Sequence, residues 1–425
     1  MNGGARVDLE RLLPWIMGIV AVLVWVGPLQ WMNTATTQIS DIPVYQAAYQ
    51  QMADGNLPYL DFSLEYPPLA AAVFWLAGVL PGAYGTTFSF LMMIALVLTV
   101  VPVTLTARAL GLSVARQVAA GGITAFIPVL LGGLVGTRFD LVLAALIAWI
   151  LWAVVTDRMT TAWVLLALAV LVKLIPLAFI PVLVMVHVRR HGGSDALKSA
   201  LTGLAVLVVV TLPLALIAPS GLWDSVSYHL DRPLQLESTG AAYLMAMRLL
   251  AGIPLAVDTS FGSQGLQGEA PDLMALISTI VLVVLVLAIA LTVQRLLVTQ
   301  PPSADSAIFV AGIAATAVAL LVAGKVLSPQ FLVWIVPAAV LVRGRFGWPS
   351  AVVVALSLLL TQAYFPRAYW QLVALQQPEM GLLVLRDAVL IVLLALVWPR
   401  PRMEERLRDD PARQGSRAAN GNALE

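Results

Sequence analysis

The sequence predicts an all-α, polytopic membrane protein, and three observations carry that prediction. The chain is 425 residues long, 60% hydrophobic and only 11% charged. A soluble chain of this length could not hide that much apolar surface. About twelve apolar stretches of near-spanning length are separated by short polar breaks, as in a bundle of transmembrane helices. Lys and Arg sort onto alternate breaks, which sets an orientation. The net charge of +1 adds nothing, and the absence of cysteine excludes disulfides and cysteine-held metals. No nucleic-acid partner is expected.

Arg6 and Arg11 place the N-terminus in the cytoplasm. The first apolar run, from Pro14 to Met32, reads as a retained anchor. Trp25, Trp31 and Met32 stand where a cleaved signal would carry small residues. Outer loop 33–85 follows. Within it, Pro68–Leu80 is too short to cross a bilayer that needs roughly 20 residues. It is assigned as a juxtamembrane helix, and that choice puts Arg108 and Arg116 inside.

The remaining spans then alternate. Helix two covers Thr86–Ala107 and helix three Gln117–Val135, with an outer break at Gly136–Asp140. Helix four runs to Val155. Helices five and six are short pieces around an apex at Lys173. Helix seven ends near Pro219, and outer loop 220–271 follows. Helix eight returns to Arg295, nine rises to Lys325, ten drops to Arg343 and eleven rises to Gln362. After outer loop 364–381, helix twelve ends at Arg400. Residues 1–400 form one transmembrane domain, and 401–425 a cytoplasmic tail expected to be disordered. Seven of the 24 Lys and Arg fall outside: Arg138, Lys173, Arg232, Arg248, Lys325, Arg367 and Arg386. There is no inverted repeat of the transporter kind.

Four polar constellations lie on the outer side. In SDIPVYQAAYQQMADG, Asp41 stands at a helix start, with Tyr45 and Tyr49 on one face below it. Asp41 suits an N-cap, and it also suits a general base facing a cavity. In DFSLEYPPLA, Tyr66-Pro67-Pro68 fixes an extended lead-in to a helix. Glu65 beside it is either an interfacial acid or a substrate contact. SYHLDRPLQLES gathers His229, Asp231, Arg232 and Glu237 between leucines, as a pocket lining would. His187 and His191, next to an Arg pair, read as ordinary flanking residues on the cytoplasmic side. In GKVLSPQFLVW, Lys325 crowns a helix before Gln330, and Lys173 in LVKLIPL does the same. Snorkelling is the plain alternative for both lysines. Arg138 and Asp140 in GTRFD are expected to pair with each other.

There is no metal motif, phosphate-binding glycine loop or Ser/His/Asp order. Carboxylates, one His and several cations at one face suit sugar transfer from a lipid-linked phosphate. That phosphate is already a good leaving group and needs cations. The acceptor hydroxyl is a poor nucleophile and needs one base. An apolar groove would hold a polyprenyl tail.

These elements resemble the GT-C superfamily of polyprenol-phosphate-sugar-dependent glycosyltransferases. More narrowly, the chain is similar to family 87, which includes mycobacterial phosphatidylinositol-mannoside mannosyltransferases. The resemblance rests on Asp41, EYPPL, LVKLIPL, HLDRPLQLES and KVLSPQ, spread over residues 40–335. It implies a GT-C fold with juxtamembrane helices in the first outer loop, and an inverting mechanism with Asp41 as base. His229, Arg232, Lys325 and Lys173 become candidate contacts to the donor phosphate. Glu65, Tyr66, Tyr45, Glu237 and Gln330 become candidate acceptor or substrate contacts. Ser40 stands where many GT-C enzymes have a second acid, so no metal or other cofactor is expected, although a divalent ion stays open. The implied partners are a polyprenyl-phosphate sugar donor (mannose first), a lipid-linked glycan acceptor of the phosphatidylinositol-mannoside type and membrane lipids. The implied place is the outer face of the plasma membrane, with both termini cytoplasmic. Three alternatives remain: an arabinofuranose donor, a non-catalytic lipid or solute transporter, and a structural membrane subunit.

Overall fold

A computed structural model describes residues 3–27 and 39–401, with side chains from residue 10 onward. The end of the first apolar run, the start of the first loop and the C-terminal tail lie outside the described residues. The described chain is almost wholly helical. Its elements are α1 (Gly3–Val26), α2 (Ile42–Ala53), α3 (Pro68–Val79), α4 (Tyr84–Ala109), α5 (Val114–Ala125), α6 (Asp140–Val155) and α7 (Met159–Val172). They continue with α8 (Ile180–His191), α9 (Gly193–Ile217), α10 (Pro219–Asp231), α11 (Thr239–Ala251), a hairpin of β1 (Ala256–Ser260) and β2 (Ser263–Gln267), α12 (Glu269–Thr299) and α13 (Asp305–Ala323). The last are α14 (Leu332–Ala339), α15 (Gly347–Tyr364) and α16 (Gln377–Val397).

Six helical stretches among the described residues are long and apolar enough to cross a membrane. They are Tyr84–Ala109, Gly193–Ile217, Glu269–Thr299, Pro302–Ala323, Gly344–Tyr364 and Gln377–Val397. The polytopic all-α architecture is as expected, while several of the roughly twelve expected helices are shorter or broken. The third breaks after Ala125 into a single turn, Ile127–Leu130, and a 3₁₀ segment, Gly132–Gly136. Pro128 and the left-handed Gly132 account for the break. α6, α7 and α14 are also short, with 16, 14 and 8 residues; most residues of the first two and all of the third are buried. The two outward-facing spans are α9 and α12, whose apolar residues are mostly exposed. In a lipid-facing helix that exposure is expected.

The 220–271 segment is not an open loop. It holds α10, α11 and the β hairpin, a small exception to the all-α expectation. The segment between α15 and α16 is also shorter than expected, because α16 begins at Gln377.

Within Pro68–Leu80, Pro68–Val79 forms a 12-residue helix, about 18 Å long at 1.5 Å per residue, too short to span. Its buried face is Ala70, Ala71, Phe74 and Ala77, at helical spacing. α2 docks on this small-residue face through its two tyrosines. Tyr45 stacks on Phe74 at 4.3 Å, and the Tyr49 ring lies where a Cβ on Gly78 would be. Leu80, preceding Pro81, is extended, which stops the helix.

α10 closes over this unit. A Cβ on Gly221 would come within 1.9 Å of the Tyr59 carbonyl oxygen, so only glycine permits the contact. Eight residues on, His229 Nε2 donates to the Glu65 carbonyl at 3.0 Å. Segment 233–238 is pinned between the hairpin and residue 325. The Gln235 amide donates to the Lys325 carbonyl (2.9 Å), and Leu236 and Leu266 exchange bonds with Gln264 and Leu234 (2.9 Å each).

At the opposite end of the bundle, His187 corrects its expectation as an ordinary flanking residue. It is fully buried. Trp163 Nε1 donates to its Nδ1 (3.0 Å), which leaves the proton on Nε2 to bond Asp195 (2.9 Å). Arg190 and His191 meet Asp157 there.

Gly221→Ala forces α10 away from Tyr59 and is expected to lose roughly 1–3 kcal/mol of stability, the usual penalty for overpacking. Thermal unfolding of the purified protein checks this, and a wild-type melting temperature would show that the contact is not tight.

Candidate active site

A cavity of about 490 Å³ opens among α2, the 65–67 segment, the 138–140 turn, the Lys173 apex, α10, the hairpin tip and the 324–331 segment. All ten candidate catalytic and substrate contacts line it: Asp41, Tyr45, Glu65, Tyr66, Lys173, His229, Arg232, Glu237, Lys325 and Gln330; Asp231, expected with them as pocket lining, is exposed and does not. Of the seven unusual cations, Arg138, Lys173, Arg232 and Lys325 are on its wall.

Asp41 sits at the N-cap position of α2, yet its side chain makes no cap bond. Ser40 Oγ takes that place by accepting from the Ile42 amide (3.2 Å). The Asp41 carboxylate turns to Arg138, whose Nε lies 2.8 Å from Oδ2, and Tyr45 donates its hydroxyl to the same oxygen (3.2 Å). Oδ1 is the oxygen available to a substrate hydroxyl, and the side chain is 32% exposed. Burial pushes the Asp41 carboxyl above its ordinary range. Arg138 and the Tyr45 hydroxyl pull it back, and Asp140 and Glu65 add to the rise. A carboxylate held this way is a stronger base than a free one.

The expected Arg138–Asp140 pair does not form. Arg138 belongs to Asp41, and Asp140 accepts from Lys173 Nζ (2.6 Å) and from Trp334 Nε1 (2.9 Å). Neighbouring residues in sequence point to different partners because α6 begins at Asp140, which turns successive side chains by about 100°. Arg138 is thus the main residue that sequence reading left out of the site. Its only sequence signal was its place among the outer cations.

Lys173 Nζ is bonded to Asp140. Besides Asp140, it lies over the rings of Phe139 (4.9 Å), Phe331 (4.7 Å) and Trp334 (4.7 Å). His229 is also occupied. Burial, then Arg232, lowers its pKa, so the neutral ring predominates. Its one N–H goes to the Glu65 carbonyl. Arg232 and Lys325 retain spare donors. Arg232 gives one N–H to Ser263 Oγ (2.9 Å), and Lys325 gives one to the Leu230 carbonyl (2.5 Å).

Tyr66 packs edge-on against Tyr45 and Phe139 (6.0 and 5.1 Å), and its hydroxyl lies by Glu65. Tyr228, unremarked in sequence, also lies by Glu65. Glu237 is buried and accepts from the Tyr364 hydroxyl (3.0 Å). Burial raises its pKa to about 7, against the pull of Arg386. Arg386 donates to the Glu237 carbonyl (2.6 Å) and pairs with Asp387 (3.2 Å). Among the described residues no cluster of His, Asp and Glu suits a metal ion.

Arg138→Gln removes the positive charge from Asp41 and leaves burial, Asp140 and Glu65 to raise its pKa. The acid limb of the activity profile is then expected to move to higher pH, by on the order of one unit. Arg138→Lys is expected to restore part of the shift. An unmoved acid limb in Arg138→Gln would mean that the pair does not set the protonation of Asp41.

The sequence profile described as Glycosyltransferase family 87 matches residues 64–308, more than half of the chain. Among solved structures, the chain is similar to apo ArnT from Cupriavidus metallidurans: 16% identity over 91% of this chain and 77% of that one, TM-score 0.39. It is also similar to the Archaeoglobus fulgidus oligosaccharyltransferase tethered to an acceptor peptide: 15% identity over 93% of this chain and 56% of that one, TM-score 0.41. The chain therefore spans a little over half the length of that oligosaccharyltransferase. No curated protein matches it in sequence. With more than half of its length under the family profile and six helices among the described residues long and apolar enough to cross a membrane, the chain belongs to glycosyltransferase family 87 and is a multi-pass membrane glycosyltransferase.

Proposed function

We propose that the protein transfers mannose from polyprenyl-phosphate-mannose to a lipid-linked glycan of the phosphatidylinositol-mannoside type, with inversion, at the outer face of the plasma membrane. The observation that carries the reading is the Asp41 carboxylate, which makes no cap bond to its own helix and faces the cavity. Asp41 Oδ1 takes the proton from the acceptor hydroxyl as its oxygen bonds to the anomeric carbon. The bond from that carbon to the phosphate oxygen breaks, and the phosphate leaves with the electron pair. Arg232 and Lys325 are the cations that receive the developing charge. Lys173 and His229 act behind them, one holding Asp140 and the other bracing α10 on the Glu65 carbonyl.

Glu65, Tyr66, Gln330 and Glu237 flank the acceptor. Glu237 is roughly half protonated near pH 7, so it offers a sugar hydroxyl either a donor or an acceptor. Leu174, Ile175, Leu282 and Leu320 form an apolar side of the cavity that suits the first isoprenes of the donor. The positive-inside distribution of Lys and Arg supports a cavity on the outer side and cytoplasmic termini.

Purified protein with labelled polyprenyl-phosphate-mannose and phosphatidylinositol mannosides is expected to give a labelled, longer glycolipid. Asp41→Asn is expected to fold normally and lose transfer by roughly 10²–10⁴-fold, the range for removing a general base. Near-normal turnover in that variant would refute Asp41 as the base. Labelling only from an arabinofuranosyl donor would refute mannose.

A further inference from the structure

The β1–β2 hairpin closes with Ser260 paired to Ser263, so its loop is Phe261-Gly262. Both residues have positive φ, 51° and 61°. A two-residue hairpin turn of this hand favours Asn-Gly, because a bulky side chain at the first position crowds its own backbone. Gly262 meets the requirement and Phe261 does not.

Nothing in the turn calls for the phenyl ring. The contact that anchors residue 261 is made by its carbonyl, which accepts from the Tyr228 hydroxyl (2.5 Å), and any residue supplies a carbonyl. Tyr59 is a useful contrast. It also has positive φ (68°), but it is 5% exposed and its hydroxyl is bonded to the Tyr66 carbonyl, so packing holds it in place. Phe261 is 37% exposed. It lines the cavity beside Tyr228, their ring centroids 5.4 Å apart at 58°. The next serine of the hairpin, Ser263, holds Arg232. A large aromatic is thus kept at a strained, exposed position, beside one of the cations assigned to the donor phosphate.

We propose that Phe261 is a stacking platform for a sugar ring of the bound substrate. The C–H face of a pyranose is weakly positive and apolar, and it complements the negative face of an aromatic ring. The proposal rests on the cavity being the sugar-transfer site. The donor sugar and the terminal acceptor sugar present the same chemistry, so the test separates them.

The test uses the full-length protein in lipid nanodiscs, with Phe261→Asn, Phe261→Leu and Phe261→Trp. Affinity is measured without turnover for two matched pairs: polyprenyl-phosphate-mannose against polyprenyl phosphate, and a phosphatidylinositol mannoside against phosphatidylinositol. Phe261→Asn relieves the turn, so its melting temperature is expected to equal or exceed that of the wild type. Its affinity for one of the sugar-bearing lipids is expected to fall about five- to tenfold, while the matching sugarless lipid binds unchanged. The pair that responds identifies the ring as donor or acceptor. Phe261→Leu is expected to bind as weakly as the Asn variant, and Phe261→Trp as tightly as the wild type. Equal losses for sugar-bearing and sugarless lipids, unchanged binding in Phe261→Asn, or wild-type binding in Phe261→Leu would each overturn the proposal. Because these affinities need no turnover, an active Asp41→Asn enzyme would refute the base and leave this measurement intact.

Discussion

Two ion pairs hold the site, one part-exposed and one buried, and the rest of the structure depends on how they are crossed. Arg138 takes Asp41, and Asp140, two residues away, takes Lys173. An unpaired charge at the depth of the Lys173–Asp140 pair would cost several kcal/mol, so there each partner must be present for the other to stay. Asp41 comes from the start of α2, Arg138 and Asp140 from the turn into α6, and Lys173 from the end of α7. The two pairs therefore tie the first-loop unit to the buried helices. Trp334 extends the second pair to α14 through its own bond to Asp140.

This crossing also divides the polar residues of the cavity by task. Lys173, caged by three aromatic rings, and His229, donating to a backbone carbonyl, hold architecture. Arg232 and Lys325 each spend one donor on a neighbour and keep others for a ligand. Asp41 spends one oxygen on Arg138 and Tyr45 and keeps the other. Residues that look alike in sequence, a Lys at the top of a helix in both cases, thus differ in what they have left to offer.

Much of the architecture was legible beforehand. The short Pro68–Leu80 helix followed from its length and from the sidedness of Arg108 and Arg116. The cavity residues followed from charged groups standing among leucines and prolines where apolar spans end. The contents of segment 220–271 were less legible. Its hairpin rests on bonds from Leu234 and Leu236, contacts between short segments with no helical or strand period long enough to read. Helix three was misjudged because apolar composition is the same in a broken helix and a straight one. The capping role of Asp41 was open because Ser40, one residue earlier, supplies an equivalent oxygen.

The sequence by itself determined that this chain lives in a membrane, which breaks carry its unusual charges and to which family it belongs. Those properties are local: apolar runs, charge sidedness and short motifs are all written along the chain. Only the tertiary structure decided the partners. Asp41 faces a cavity rather than its own helix, Arg138 serves Asp41 rather than Asp140, and a phenyl ring stands at a turn built for asparagine. Each of these depends on where a distant segment lies, because a buried charge or a strained backbone is tolerated only when something remote in sequence compensates it.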